Sequence, residues 1–303
     1  MKILLIAGGW STERDISIAG AKNIEKALKS NGHDVTFFDL LLDFDNLLNQ
    51  AKQHDFAFIN LHGAPGEDGL VQAILERVGC PYQGSSPAGS FLALNKVCAK
   101  QIFKYMDLPT AEWEFLPQRP NKSWSPKLEY PIFVKSNTGG SSLHLGRATD
   151  RKSLDYILDE IFSAGDSALL EKELVGQEIT CGILGDVALP PVLIKPVSGL
   201  YFDFNSKYAN GGAQEICPAP ISDKLTKEIQ NLALQAHNAL GLRCYSRTDF
   251  ILGNDDSINI LEVNTLPGMT STSLVPQEAK AIGLSFSDLL EKLIELGIKN
   301  FKK

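Results

Sequence analysis

The chain has few cysteines, and none of them sit at a spacing that would make them useful together. Cys80, Cys98, Cys181, Cys217 and Cys244 are scattered and odd in number, with no C-x-x-C pair. That excludes a disulfide scaffold and a cysteine zinc centre, and it predicts free thiols in a reducing cytoplasm. Positive charge is also in deficit: 29 Lys and Arg against 36 Asp and Glu leave a net charge of −7. Sequence-independent binding to nucleic acid or to an anionic membrane needs a basic surface, so both are excluded. No stretch approaches the roughly 20 apolar residues of a membrane span. MKILLIAGG is too short for a signal peptide and is followed at once by charged TERD, so it reads as a first β-strand. The nucleotide loop G-x-x-x-x-G-K-[ST] is missing, and GGWSTER lacks the third glycine of a dinucleotide fingerprint. Internal repeats and low-complexity tails are absent as well.

What remains is an ordinary globular composition, 44% hydrophobic and 21% charged over 303 residues, long enough for two or three domains. KILLIA, DVTFFDL and DFAFINL read as strands. Between the first two, Ile16, Ala19, Ile24, Ala27 and Leu28 recur at helical spacing, and Gly32 can end that helix. Strand–helix–strand alternation predicts a small parallel α/β (Rossmann-like) domain over residues 1–85. Ligands of such sheets lie beyond the carboxyl ends of the strands, where GGWSTER and HGAPGEDG emerge. Glu13 in the first loop can serve a ligand or simply answer the dipole of the helix it precedes. His62, with Glu67 close by in a glycine-rich loop, is a candidate for contact with a small ligand.

LALNKVCAKQIFKYMDL, 92–108, reads as one amphipathic helix containing Lys96, and PQRPNKSWSPK as a loop. IFVK then ends a strand at Lys135 and is followed by NTGGSS and a second short strand. Glycine backbone N–H groups can approach phosphate oxygens, and a nearby lysine adds charge; the alternative is a plain flexible hairpin. ALLEKEL and the strand after Gly176 place Glu171 and Glu178 on either side of a turn. Residues 197–216, aromatic and then glycine-rich, read as a long functional loop tipped by Lys207 and Tyr208. SDKLTKEIQNLALQAHNALG is a helix capped by Ser222, with Leu225, Ile229, Leu232, Ala233, Ala236 and Leu240 inward and His237 on its surface. A last helix starts near Ser285, with Asp288 three residues on.

YSRTDFIL and INILEV, joined by GNDDS, read as a hairpin. A turn centred between Asp255 and Asp256 sets Asp249 opposite Glu262 and Arg247 opposite Asn264. Opposed side chains in an antiparallel pair lie roughly 5 Å apart. Two carboxylates so close repel unless a cation lies between them, and carboxylate plus amide oxygens suit a hard cation such as Mg²⁺. A one-residue slip would turn Asp249 to the other face.

Taken together, GGWSTERDIS, HGAPGEDG, LNK, VKSNTGGSS, EKELVGQE, FNSKY, SRTDF and LEVNTLPGMTSTSLVP resemble the D-alanine–D-alanine ligases of the ATP-grasp superfamily over nearly the whole chain. The resemblance implies three α/β (α+β) lobes, here 1–85, 86–172 with the glycine flap, and 173–303 with an omega loop and the metal hairpin. It implies ligation of two D-alanines through a D-alanyl phosphate, with ATP as substrate and two Mg²⁺ or Mn²⁺ ions per site, for peptidoglycan precursors. A cytoplasmic homodimer is implied too. Residue by residue, Lys96, Lys135, Ser142 and Lys207 match phosphate contacts, Glu171 and Leu174 the adenine pocket, and Glu178 the ribose contact. Asp249, Glu262 and Asn264 match the metal ligands. Glu13 and His62 match the site of the first D-alanine, Ser273 and Leu274 that of the second. Arg247 and the Gly268 N–H match the oxyanion donors, and Glu13, Ser141 and Tyr208 a triad that closes the omega loop. A tyrosine at 208 goes with an amine acceptor in this family, and phenylalanine with hydroxy acids. The chain departs from the family pattern at Ser136, usually Pro, and His144, usually Gly. Two alternatives stay open: an ATP-grasp ligase with another acceptor such as D-serine, and a non-catalytic nucleotide-binding protein.

Overall fold

The computed structural model describes residues 1–140, 144–196, 213–270 and 272–301. Its first unit is a three-stranded parallel sheet of β1 (Lys2–Ala7), β2 (Asp34–Asp39) and β3 (Phe56–Asn60) in the order β2-β1-β3. The central strand β1 is covered on both faces, and this is why its run is continuously apolar. Helix α1 (Arg14–Ser30) turns Ser17, Gly20, Ala21, Ile24 and Leu28 to the sheet. The expected stripe had Ile16 and Ala19 inward, but Ile16 is half-buried and Ala19 exposed. The shift has a polar cause. The Ser17 hydroxyl takes the Gly8 N–H at 2.8 Å and donates to the Asn60 carbonyl, and Gly20 lets the Asn60 side chain lie close. After a short 3-10 turn at Phe44–Asn46 come α2 (Leu47–Ala51) and, past β3, α3 (Leu70–Val78).

The single helix expected over 92–108 is two, α4 (Pro87–Leu94) and α5 (Lys96–Tyr105). Asn95 leaves the helical region (φ −80°, ψ 96°) and its side chain accepts the Cys98 N–H, so it ends one helix and caps the next. A four-stranded antiparallel sheet follows, ordered β4-β7-β5-β6 from β4 (Trp113–Leu116), β5 (Ile132–Ser136), β6 (Leu145–Ala148) and β7 (Ala168–Lys172). Helix α6 (Arg151–Ser163), opened by an Asp150–Ser153 capping box, packs Leu154, Leu158 and Ile161 against Ile132, Val134 and Leu170.

The largest sheet is antiparallel, β11-β10-β8-β12-β13, with β9 beside β8. Its strands are β8 (Gly176–Leu184), β9 (Val187–Ala188), β10 (Val192–Pro196), β11 (Ala213–Ile216), β12 (Tyr245–Gly253) and β13 (Ile258–Asn264). Residues 213–216, expected in a loop, form β11 against β10. Helix α7 (Asp223–Ala239), capped by Ser222 as expected, covers one face. The opposite face carries the site. A short helix and a long one close the chain, α8 (Leu274–Ala281) and α9 (Phe286–Phe301), the latter opened by reciprocal Ser285 and Asp288 caps. The chain crosses the linear division 1–85, 86–172 and 173–303 twice. Ala93, Ala99 and Phe103 of α4 and α5 share a core with Ile179, Phe250 and Ile260 of the large sheet. Leu289, Leu290, Leu293 and Ile294 of α9 return to the core of β1 and β3. Among the described residues no helix is long and apolar enough to cross a membrane.

Candidate active site

The last hairpin has the expected register where it matters: Asp249 pairs with Glu262 and Arg247 with Asn264. It reaches that register by an unexpected route. Beyond a bulge at Asp249/Phe250, Ile251 pairs with Asn259 and Leu252 with Ile258, one residue out of step with the inner pairs. A bulge adds one residue to one strand and re-aims the side chains beside it. On the other side of β12, Asp249 pairs with Thr180, Arg247 with Gly182 and Ile251 with Glu178. Opposed residues share a face, so Glu178, Thr180, Arg247, Asp249, Glu262 and Asn264 line one surface.

Asp249 is 5% exposed and saturated with donors. Thr180 Oγ1 (2.6 Å) and Arg247 Nε (2.8 Å) donate to Oδ1, while Arg247 Nη2 (2.7 Å) and Asn264 Nδ2 (3.0 Å) donate to Oδ2. Burial works against the Arg247 charge, but the Asp249 carboxylate outweighs it and holds the guanidinium firmly protonated. Among the described residues no cluster of three or more His, Cys, Asp or Glu forms a metal nest; the candidate set here is two carboxylates and an amide. The donor chemistry fits a hard divalent cation. A positive group, Arg247, already stands on the carboxylate that such an ion would use, and binding the ion would exchange one of those donors.

At the opposite end a second buried carboxylate is clamped by lysines. Glu171 on β7 (3% exposed) forms ion pairs with Lys135 of β5 and with Lys100 of α5, the latter at 2.5 Å. On its strand beside a turn it could have been a solvated charge. Instead, burial would raise its pKa, and Lys135 and Lys100 together override that and hold it below the usual carboxylate range. Lys100 is 1% exposed and also donates to Thr110 Oγ1 at 2.5 Å. It escaped the sequence reading, although its i+4 spacing from Lys96 put it on the same helix face. Lys96 donates to the Gly139 carbonyl at 2.6 Å and reaches Glu262 at 3.5 Å, tying the flap to the β12–β13 hairpin. Leu174 is half-buried in the β7–β8 connection, and Glu178 is half-buried on β8.

From the first lobe, Glu13 is 7% exposed at the start of α1, and Gly140 of the flap lies close enough that a Cβ there would stand 3.2 Å from Glu13 Oε2. Loss of solvent pulls the His62 imidazole below its usual range, partly offset by Glu13; Arg247 adds to the pull, and a hydrogen bond with the Leu266 backbone opposes it. Glu67 accepts the Gly63 N–H at 2.7 Å and the Leu266 N–H at 3.4 Å, so it joins the HGAPGEDG loop to the TLPG loop. Burial pushes Glu67 up to about 7. Gly268 lies against Ser273, the N-cap of α8, whose Oγ meets Thr270 Oγ1 at 2.7 Å. Ser141, Ser142, Lys207 and Tyr208 lie outside the described residues.

His237 is not on the surface. It is 3% exposed, with Nδ1 2.7 Å from Ser246 Oγ, and burial takes it to about 4. Its position four residues after buried Ala233 brings it onto the inner face of α7. The two departures in the flap are joined to each other. The Ser136 N–H donates to the His144 carbonyl at 3.1 Å, a bond proline could not make, and His144 has φ +53°, where the family's glycine would be unstrained. The Ser136 hydroxyl contacts Asp166, which also takes the Thr138 N–H at 2.9 Å.

Lobes that meet around a glycine flap, a lysine-clamped carboxylate and an acidic hairpin place the chain among the ATP-grasp enzymes. The family model described as the D-ala D-ala ligase C-terminus matches residues 98–295. A D-alanine–D-alanine ligase of Desulfovibrio desulfuricans is 64% identical over 100% of this chain and 99% of its own. Among solved structures, a D-alanine–D-alanine ligase from Bacillus anthracis complexed with ATP has a TM-score of 0.89 at 32% identity, covering 100% of this chain and 99% of that one. The VanG D-Ala:D-Ser ligase from Enterococcus faecalis has a TM-score of 0.84 at 28% identity, covering 97% and 98%. The chain belongs to the D-alanine–D-alanine ligase family.

Proposed function

We propose that the protein joins two D-alanines into D-alanyl-D-alanine at the expense of ATP, releasing ADP and phosphate, as a step toward peptidoglycan. The observation that carries this reading is the shared face on which Arg247, Asp249, Glu262 and Asn264 converge, with Lys135 and Glu171 beyond it. A pure nucleotide binder has no use for a half-buried arginine beside the acid cluster. In this reading Glu171 and Leu174 hold adenine, Glu178 holds ribose, and Lys96, Lys135, Ser142 and Lys207 hold the phosphates. Asp249, Glu262 and Asn264 would hold two Mg²⁺ or Mn²⁺ ions, which neutralise charge on the β- and γ-phosphates when bound.

A carboxylate is a poor acyl donor because its leaving group would be oxide. Glu13 binds the ammonium of the first D-alanine, and His62 faces its carboxylate. A carboxylate oxygen attacks the γ-phosphorus, the bond to the β-phosphate oxygen breaks, and D-alanyl phosphate and ADP result. Ser273 and Leu274 hold the carboxylate of the second D-alanine, whose amine, having lost a proton, attacks the acyl carbon. With Nε and Nη2 on Asp249, Arg247 presents Nη1, together with the Gly268 N–H, to the tetrahedral oxyanion. Each such donor is typically worth about 3 kcal/mol. Phosphate then leaves with the former carboxylate oxygen. Tyr208, with Ser141 and Glu13, closes the site against water, which would hydrolyse the acyl phosphate. The reading includes a cytoplasmic homodimer, which light scattering tests at twice the chain mass.

D-Serine as the second substrate is the runner-up, since the family fold also hosts a D-Ala:D-Ser ligase. Incubation with ATP, Mg²⁺ and D-alanine, alone or with D-serine, D-lactate or L-alanine, separates the readings. D-Alanyl-D-alanine should dominate, with L-alanine inert. A dominant mixed product with D-serine would favour the runner-up, and absence of phosphate release with every amino acid would overturn ligation.

A further inference from the structure

Glu278 is fully buried, 0% exposed, and takes no part in the steps above. It lies in α8, four residues beyond Leu274, so both project from one side of that helix. Its Oε1 accepts the Gly182 N–H at 2.8 Å, and its Oε2 finds no donor among the described residues. A carboxyl held inside the protein is costly unless it is hydrogen-bonded, paired or neutral.

The backbone of β8 explains why the carboxyl sits at Gly182. Strand β10 pairs with β8 as far as Thr180, and β9 takes over at Ile183. Between the two, the Gly182 carbonyl is served by the Leu189 N–H, and Glu278 fills the gap opposite the Gly182 N–H. The space is made by glycine, because a Cβ at 182 would run into Glu278 Oε2. Gly182 is also the partner of Arg247 across β8 and β12, so the carboxyl lies on the face that carries the arginine. Burial pushes Glu278 up to about 8, against the pull of the Gly182 N–H and Arg247.

We propose that Glu278 is a positioning residue for the acceptor half of the reaction. It locks the helix that begins at Ser273 and Leu274 onto the strand beside Arg247, and so sets the distance between the second amino acid's carboxylate site and the oxyanion arginine. The inference rests on the function proposed above and deepens it. A merely structural Glu278 would affect every constant or only stability; a positioning Glu278 affects the second amino acid selectively.

The test is steady-state kinetics in which the Michaelis constants for ATP, the first D-alanine and the second D-alanine are resolved. In Glu278→Ala the constant for the second D-alanine should rise about tenfold, the size of one lost hydrogen bond to a buried carboxyl, with the other two within about twofold. Glu278→Gln should return it to within about twofold of wild type, because the amide oxygen accepts the same N–H. Gly182→Ala should mimic Glu278→Ala by forcing the carboxyl off, and the double variant should be no worse than the worse single one. An unchanged second constant in Glu278→Ala, or a parallel rise in all three, overturns the proposal. Should Glu278→Ala not fold, Gly182→Ala decides by the same criterion. A wild-type enzyme that makes no dipeptide would overturn the functional reading itself, whereas an active wild type with an indifferent Glu278 overturns only this inference.

Discussion

Two buried carboxyls at opposite ends of the site, Glu171 and Glu278, are almost equally hidden from water, at 3% and 0% exposure, and are treated in opposite ways. Glu171 is gripped by Lys135 and Lys100 and stays ionised. Glu278 has one backbone N–H and no cation within salt-bridge reach among the described residues, and burial raises it to about 8. Burial alone does not decide whether a carboxyl carries charge; the nearest fixed cations do. On the proposed reading, the nucleotide end keeps an acceptor that cannot turn into a donor, and the amino-acid end keeps a neutral group that can brace a helix without competing for Arg247.

Arg247 marks the boundary between these ends, and its removal is the harshest test of the contrast. If Arg247 is the oxyanion donor proposed above, Arg247→Ala should lower kcat for dipeptide formation by about a hundredfold or more, read by ADP release, and Asp249 is left without its main partner. Next comes the pair itself. Glu171→Gln leaves buried Lys100 and half-buried Lys135 facing an amide and should cost on the order of 3 kcal/mol in denaturant unfolding, while Glu278→Gln should cost less than about 1 kcal/mol. Equal costs would erase the distinction between the two ends.

pH sharpens it further. His237 has a folded value of about 4, depressed from an unfolded value near 6.5. The unfolded state therefore binds the extra proton, and stability is lost as pH falls from about 6.5 to about 4, by roughly 3 kcal/mol in all. Glu278 has the opposite sign. Its folded value is raised, so its contribution is full below the unfolded carboxylate value and is lost as pH rises through about 8. Unfolding curves from pH 4 to 8 should show the acid-side slope flattened in His237→Asn and the alkaline-side slope flattened in Glu278→Gln; unaltered slopes would contradict these assignments. The smallest effect belongs to the exposed flap. His144→Gly removes a left-handed backbone strain and should change melting by less than about 1 kcal/mol equivalent, with activity retained.

Much of this was legible from residues alone. The apolar run of β1, the caps at Ser222 and Ser285, and the facing pairs Asp249–Glu262 and Arg247–Asn264 follow from period and turn chemistry. The bulge beside Asp249 was not, because local patterns do not report an extra residue that the partner strand absorbs. Lys100, His237 and Glu278 were missed for a common reason. Each is polar, sits on a helix and resembles a surface residue until a tertiary partner (Glu171, Ser246 and Gly182 respectively) is brought to it. Asn95 was missed because a cap inside a continuous amphipathic pattern is visible only as a break in backbone direction.

The central claim is that the site moves a carboxylate oxygen of one amino acid onto phosphorus before an amine displaces it. D-Alanine labelled with ¹⁸O in its carboxylate, turned over with unlabelled ATP, tests this directly by mass analysis of the released phosphate. One labelled oxygen in phosphate per dipeptide formed is the predicted result. Unlabelled phosphate accompanying dipeptide would contradict it.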